Sequence, residues 1–360
     1  MDVPFATKKT AIRIESKTKI RTIMQTSNWI KSLFHTGKRL ALPIMTHPGI
    51  ELSGHTVREA VTDGAIHFEA IKALSIQFPD AAAATVIMDL SVEAEAFGAP
   101  LRFTEDDVPT VVGQLVSNGK EVESLSIPSL DTARIPQFLT ACRMAAEGLG
   151  KPVLGGCIGP YSLAGRLFGM TEIMMAIYTE PATAERLLEK CAEFLLAYCH
   201  ALKHTGIAGI VIAEPAAGLL SNEDCNTYST RYVHRIVEAV QDEDFMVVLH
   251  NCGNMGNCTQ AMIAANARAC HFGNRINLSV AAAEIPADRL IMGNLDPVCV
   301  FRDGTPSTVA DAALRLLDSM DAYPNFIIST GCDTPPHVPF ENIRAFYDAV
   351  AAYNAGRRPE

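Results

Sequence analysis

Apolar residues along this chain gather in short runs, separated by polar turns and by longer stretches with helical spacing. The runs at 85–89, 152–157, 207–213, 245–250, 268–272, 289–293 and 325–330 predict strands. Between them, 135–149, 182–204, 230–241, 259–265, 307–320 and 339–353 repeat apolar residues at helical spacing and predict helices. The strand runs do not alternate apolar with polar, which fits strands covered on both faces, as in a parallel sheet with helices outside. This beat predicts an α/β fold, a TIM-like (β/α)8 barrel, with one of its strands not visible as a run. The barrel is expected to span residues 85–360, with residues 1–84 forming an N-terminal helical segment packed on it. No glycine-rich GxGxxG follows a strand and no P-loop occurs, so the doubly wound nucleotide folds lose ground.

Composition narrows the class. With 360 residues, 48% hydrophobic and 19% charged, the chain can bury a large core. Its formal net charge of -10, with no dense Lys/Arg patch beyond the first forty residues, argues against nucleic acid as a main partner. The N-terminus is basic (Lys8, Lys9, Arg13, Lys17, Lys19, Arg21) but has no apolar segment of the signal-peptide kind. No apolar run approaches the roughly 18 residues of a membrane span, so a cytoplasmic location is expected. In that compartment the ten cysteines are not expected to pair as disulfides. Cys142, Cys191 and Cys199 fall within helical patterns and read as small core residues. No CxxC pair exists, which removes zinc ribbons and thioredoxin chemistry.

In a barrel of this type the chemistry stands at the C-terminal ends of the strands. The polar residues there are Asp89 in "VIMDL", Cys157 in "GGCIGP", Glu214 in "VIAEP", His250 and Cys252 in "LHNC", Asn294 and Asp296 in "GNLDP", and Cys332 in "ISTGC". His250 and Cys252 lie two residues apart at a strand exit, so their side chains can face one point. Cys332 ends the last strand, and strand ends converge over the barrel mouth. An imidazole and two thiolates suit zinc, and three protein ligands with an open fourth position are the catalytic pattern. Two readings stand on the residues alone: a three-ligand metal site, or a hydrogen-bonded core histidine beside unrelated buried cysteines. Glu214 reads either as a pocket acid for proton handling or substrate orientation, or as the partner of a nearby base. Glu93 and Glu95 read either as a carboxylate cluster with Asp89 or, equally well, as a solvated first helical turn. His200 and His204, spaced i, i+4, read either as a helical metal pair or, with no third ligand nearby, as a solvated helix face. Gly159 in "GPYSLAG" precedes a helix N-terminus that could face an anion or a cofactor.

The segments "MDLSVEAEAFGAPL" (88–101), "GCIGPYSLAGRLFG" (156–169), "VLHNCG" (248–253), "MGNLDPVCVFRDGTP" (292–306) and "STGCDTPPHVPFENIRAF" (329–346) resemble the uroporphyrinogen decarboxylase superfamily. The HxC followed by a distant GC is similar to its zinc-dependent cobamide methyltransferase branch, which includes methylcobamide:coenzyme M methyltransferases. The resemblance implies a TIM-like barrel and a zinc held by His250, Cys252 and Cys332. From their places at the strand exits and at a helix N-terminus, Glu214 and Asp89 are catalytic candidates and Gly159, Asn294 and Asp296 cofactor-binding candidates. The resemblance also implies a corrinoid as methyl donor or acceptor and a small thiol or methylated substrate as the other party. No DxHxxG motif occurs in the chain, so a separate corrinoid-binding protein is expected to carry that cofactor.

Two departures qualify the resemblance. The decarboxylases carry an arginine motif like "LRQAGR" that holds acidic porphyrinogen side chains, and nothing like it occurs in 17–34. Asp89 matches the decarboxylase aspartate that gathers pyrrole NH groups, yet the methyltransferase branch also keeps an acid there. Relative to the coenzyme M enzymes, "ACHFGNRINLSV" (269–280) lacks the acid expected near Gly273, which leaves the fourth ligand and the substrate thiol open; His271 reads either as a substitute ligand or, more often for a lone histidine near a strand, as a structural residue. A non-catalytic corrinoid or tetrapyrrole-binding barrel stands as the alternative function, with porphyrinogen decarboxylation a more distant one.

Overall fold

The computed structural model describes residues 28–356. The basic N-terminal stretch lies outside the described residues. Eight parallel strands form the central sheet: β1 (Leu40–Ala41), β2 (Ala84–Thr85), β3 (Val153–Ile158), β4 (Gly209–Ala213), β5 (Met246–Asn251), β6 (Ala269–Phe272), β7 (Leu290–Leu295) and β8 (Phe326–Thr330). Each pairs in parallel with its sequence neighbour from β2 paired to β3 onward, except across the β1/β2 seam, and β1 pairs with β8. The seam carries no ladder. There Ala82 N–H donates to Ala41 O at 2.9 Å and Met45 N–H to Thr85 Oγ1 at 3.4 Å, which draws the curled sheet round into a distorted (β/α)8 barrel.

The strand absent from the sequence reading is β1. It is only two residues long, too short to stand out as a run, and Pro43 follows it closely. Three helices, His47–Ser53, Val57–Thr62 and Gly64–Gln77, then connect β1 to β2. The β2 run predicted over 85–89 pairs only at Ala84–Thr85: Val86 N–H still donates to Leu154 O at 3.1 Å, but Ile87 N–H turns to His67 Nε2 at 3.0 Å and the ladder ends.

Burial on both faces explains the missing alternation. Along β4 Val211 belongs to the inner core with Leu154, Met246, Val248, Ala269, Leu290, Met292 and Ile327, while Ile210 and Ile212 face the helices. The same parity continues upward along each strand. Met246 and Val248 point inward, so His250 follows them; Ala269 leads to His271, and Ile327 to Ser329. The top layer of the barrel is therefore polar. The core reading of Cys142, Cys191 and Cys199 holds, for all three are buried and free. Among the described residues no helix is long and apolar enough to cross a membrane.

Candidate metal centre

At the mouth, His250 ends the inward row of β5, Cys252 follows on the loop, and Cys332 stands just beyond β8. One ligand atom from each, the imidazole nitrogen and two Sγ atoms, lies within 4.8 Å of the others. Zinc bond lengths place tetrahedral ligand atoms about 3.6–3.8 Å apart, so a small inward rotation closes the set. Both cysteines are half-buried and His250 is buried. Glycines let the ligand loops approach: a Cβ on Gly273 would lie 2.7 Å from Cys252 Cα, and one on Gly331 would lie 2.6 Å from Asn274 N.

The decisive atom is His250 Nε2, a buried nitrogen with no hydrogen-bond partner among the described residues. An unpaired buried polar atom is costly, and a cation held jointly with two sulfurs removes that cost. The other ring nitrogen is engaged. His250 Nδ1 lies 2.8 Å from His271 Nδ1, and His271 Nε2 lies 2.8 Å from Ser329 Oγ. If Nε2 keeps its lone pair for a metal, neutral His250 carries its proton on Nδ1 and donates to His271, which donates through Nε2–H to Ser329. Burial and the nearby His250 hold the His271 pKa well below the usual histidine range, consistent with a neutral ring.

His271 is thus not the missing fourth ligand. Fully buried, with both nitrogens taken, it orients the His250 ring, the arrangement in which an outer-shell partner holds a candidate metal-binding histidine. Its signal was in the sequence as inward parity on β6 directly opposite His250, with which it is in register. His271→Ala is expected to weaken zinc binding by about 10–100-fold while the protein stays folded, measured by competition with a chromogenic chelator.

The two sulfurs behave as a coupled pair. The Cys332 thiol beside it holds Cys252 down to about 7, against the opposing effect of burial, and Arg275 favours the same thiolate. Cys332 is pushed up in turn by Cys252 and by burial. The first proton leaves easily and the second does not; a divalent cation stabilises both thiolates.

The carboxylates read as catalytic are engaged by donors inside the protein. Glu214 accepts from Ser162 N at 2.7 Å, Tyr161 N at 3.0 Å and Ser229 Oγ at 2.8 Å. It therefore occupies the N-terminus of the helix Pro160–Phe168, where an external anion or a cofactor was envisaged. Burial pushes its pKa up, opposed by these donors. No basic residue pairs with it among the described residues. Gly159 serves the same contact, since a Cβ there would lie 2.4 Å from the Glu214 carboxyl carbon.

Asp89 is buried and pairs with Arg134 Nη1, while Ser91 N donates to its Oδ1 at 2.9 Å and Ser91 Oγ at 2.5 Å. Arg134, which sequence reasoning missed, also binds Glu95 at 2.6 Å through Nε. Glu93 is not part of a solvated turn. It is 1% exposed, accepts from Ile158 N at 3.0 Å, and burial pushes its pKa up to about 8. Its helix, Val92–Ala96, packs on Pro160–Phe168, a tertiary contact that no local pattern announces.

Asn294 and Asp296 brace the loop after β6. Asn294 Nδ2 donates to Gly273 O and Ile276 O, both at 3.0 Å, and Asp296 Oδ2 accepts from Asn274 Nδ2 at 2.6 Å. His200 and His204 form no metal pair: His204 Nδ1 lies 2.6 Å from His200 O, at the exposed end of a long helix.

Comparison with known proteins fits this geometry. The family model for uroporphyrinogen decarboxylase (URO-D) matches residues 39–353. The chain belongs to the uroporphyrinogen decarboxylase family. Within that family it is similar to the methylcobamide:CoM methyltransferase MtbA of Methanosarcina mazei, 31% identical over 306 residues, which are 84% of this chain and 82% of the relative. It is also similar to the uroporphyrinogen decarboxylase of Vibrio campbellii, 25% identical over 280 residues, covering 74% and 78% of the two chains. Among solved structures, a methyltransferase from Methanosarcina mazei shares the fold with a TM-score of 0.82 at 21% identity, covering 91% of this chain and 98% of that one.

Proposed function

We propose that this chain is a cobamide-dependent, zinc-containing methyltransferase, moving a methyl group between a corrinoid carried by a separate protein and a small thiol or a methylated or methoxylated substrate. The observation that carries the reading is the orphaned, buried His250 Nε2 facing two half-buried thiols at the mouth of the barrel. Its similarity to a methylcobamide:CoM methyltransferase supports it. The two thiols have no counterpart in the binding of an octacarboxylate, and the arginine motif of the decarboxylases does not occur in the sequence.

His250, Cys252 and Cys332 would hold the zinc, His271 and Ser329 orienting the imidazole. Bound there, zinc supplies Lewis acidity that lets an incoming thiol lose its proton near neutral pH. The two cysteine thiolates donate charge, which leaves the substrate sulfur nucleophilic toward a methyl group. In thiol methylation the sulfur–carbon bond forms as the cobalt–carbon bond breaks, the electron pair stays on cobalt, and the thiol proton goes to solvent. The reverse sense charges the corrinoid. Glu214 and the Asp89–Arg134 pair act as positioning residues, fixing the strand exits round the mouth.

The test incubates the zinc-loaded protein with methylcobalamin and 2-mercaptoethanesulfonate, following the cobalamin spectrum and the methyl thioether formed. The expected result is transfer that requires both protein and zinc. Cobalamin binding with no methyl exchange to any thiol, or from any methylated donor, would support the non-catalytic barrel instead.

A further inference from the structure

Large apolar side chains left in water gather at one sector of the barrel mouth, round the exits of β4 and β5. Leu219 follows β4 and is 58% exposed; Met255 follows β5, three residues past Cys252, and is 65% exposed. Tyr178, 69% exposed, and Met175, one turn before it, stand on the helix Met170–Thr179.

These residues are exposed but held. Asn257 donates through Nδ2 to Gly218 O at 3.2 Å and to Leu220 O at 2.7 Å, which pins the backbone on either side of Leu219. Its Oδ1 accepts from Met255 N at 3.3 Å, so one amide sets both residues. The two loops touch, since a Cβ on Gly218 would lie 2.5 Å from Asn254 N. Asp224 Oδ2 ties in the tyrosine, accepting from Tyr178 Oη and from Ser221 Oγ, both at 2.7 Å. Apolar side chains held out in water by a polar scaffold stabilise nothing in the isolated chain. Fixed beforehand, they lose little freedom when a partner covers them.

We infer that this sector, Leu219 and Met255 with Tyr178 and Met175, is the docking surface of the corrinoid-carrying protein. The inference rests on the methyltransferase reading above and adds to it the surface that receives the partner. A methyl group can pass between a protein-borne cobalt and a sulfur at the metal centre only while the carrier covers the mouth, and this apolar sector begins three residues from Cys252. A second copy of the chain seated here permanently would close off the two half-buried thiols. A carrier that comes and goes needs a small contact, and the adaptable thioethers of Met175 and Met255 suit one.

Site-specific cross-linking tests the surface. A photoreactive benzoylphenylalanine is placed at Leu219, at Met255 or, as a control, at Ile76, which is 71% exposed on the helix Gly64–Gln77 that leads into the start of β2, away from the mouth. The full chain is made and irradiated in its native cells, and each adduct is analysed for cobalt and for a DxHxxG peptide. Leu219 and Met255 are expected to capture a corrinoid protein at least about tenfold more than Ile76. Calorimetry with that corrinoid protein should then show Leu219→Asp binding it about tenfold more weakly than wild type, with zinc content unchanged and the transfer rate from free methylcobalamin within about twofold.

No adduct, equal capture at Ile76, adducts only of a second copy or of a protein without a corrinoid, or unchanged carrier affinity in Leu219→Asp would overturn the inference. So would a loss of zinc along with carrier binding in Leu219→Asp, which would trace the effect to the metal loop. Capture and weakened binding as expected, but with no methyl transfer by wild type, would leave the docking surface as inferred and sink the methyltransferase reading instead.

Discussion

Cys332→Ala is expected to purify without zinc and to lose methyl transfer by about 10³-fold or more, with its circular dichroism unchanged. The size follows from losing a Lewis acid worth several kcal/mol, each 1.36 kcal/mol being tenfold in rate. Cys332 lies just past β8 on a half-buried loop, so its truncation opens no cavity in the apolar core. Cys252→Ser should behave alike, since a hydroxyl replaces the thiolate with a far weaker zinc ligand. Zinc analysis and the methylcobalamin assay on the same preparation check both. A variant that keeps full turnover without zinc would separate the chemistry from the metal.

Arg134→Met should destabilise the protein by about 3–5 kcal/mol, because it leaves the buried Asp89 carboxylate without its counter-charge. Arg134 joins three acceptors, Asp89, Glu95 and Ser91 Oγ, and lies over the Phe103 ring with 5.3 Å to the centroid. The pair bridges two segments far apart in sequence, one following β2 and one opening the helix Ile135–Gly148, so its loss loosens the cover of the mouth. Urea denaturation reads the effect. The double variant Asp89→Asn, Arg134→Met should recover part of the loss, since no isolated charge then remains buried. A single variant as stable as wild type would show that the pair is solvated.

Much of this architecture was legible because strands covered on both faces leave continuous apolar runs. The six runs from β3 to β8 each fall within a residue or two of the observed strands. β1 escaped because two paired residues make no run, and β2 was overextended because the apolar burial continues through Val86 and Ile87 while the Ile87 N–H leaves the ladder for His67 Nε2. The His250–Cys252 spacing pointed to half of the candidate metal centre, and strand-end convergence brought in Cys332, whose sulfur the structure places within 4.8 Å of the other two ligand atoms. His271 and Ser329 could have been found by carrying the inward parity of β6 and β8 up one layer. Glu93 could not, since its burial depends on one short helix packing on another. Asn294 and Asp296 stood at the right end of the barrel, but only coordinates show that they brace the loop after β6.

The most direct test is zinc K-edge X-ray absorption on the anaerobically purified wild-type protein. The account predicts about one zinc per chain, with two sulfur neighbours near 2.3 Å and a nitrogen near 2.0 Å, the remaining shell being light atoms. Zinc without sulfur neighbours, or a protein that takes up none when zinc is supplied, would contradict it.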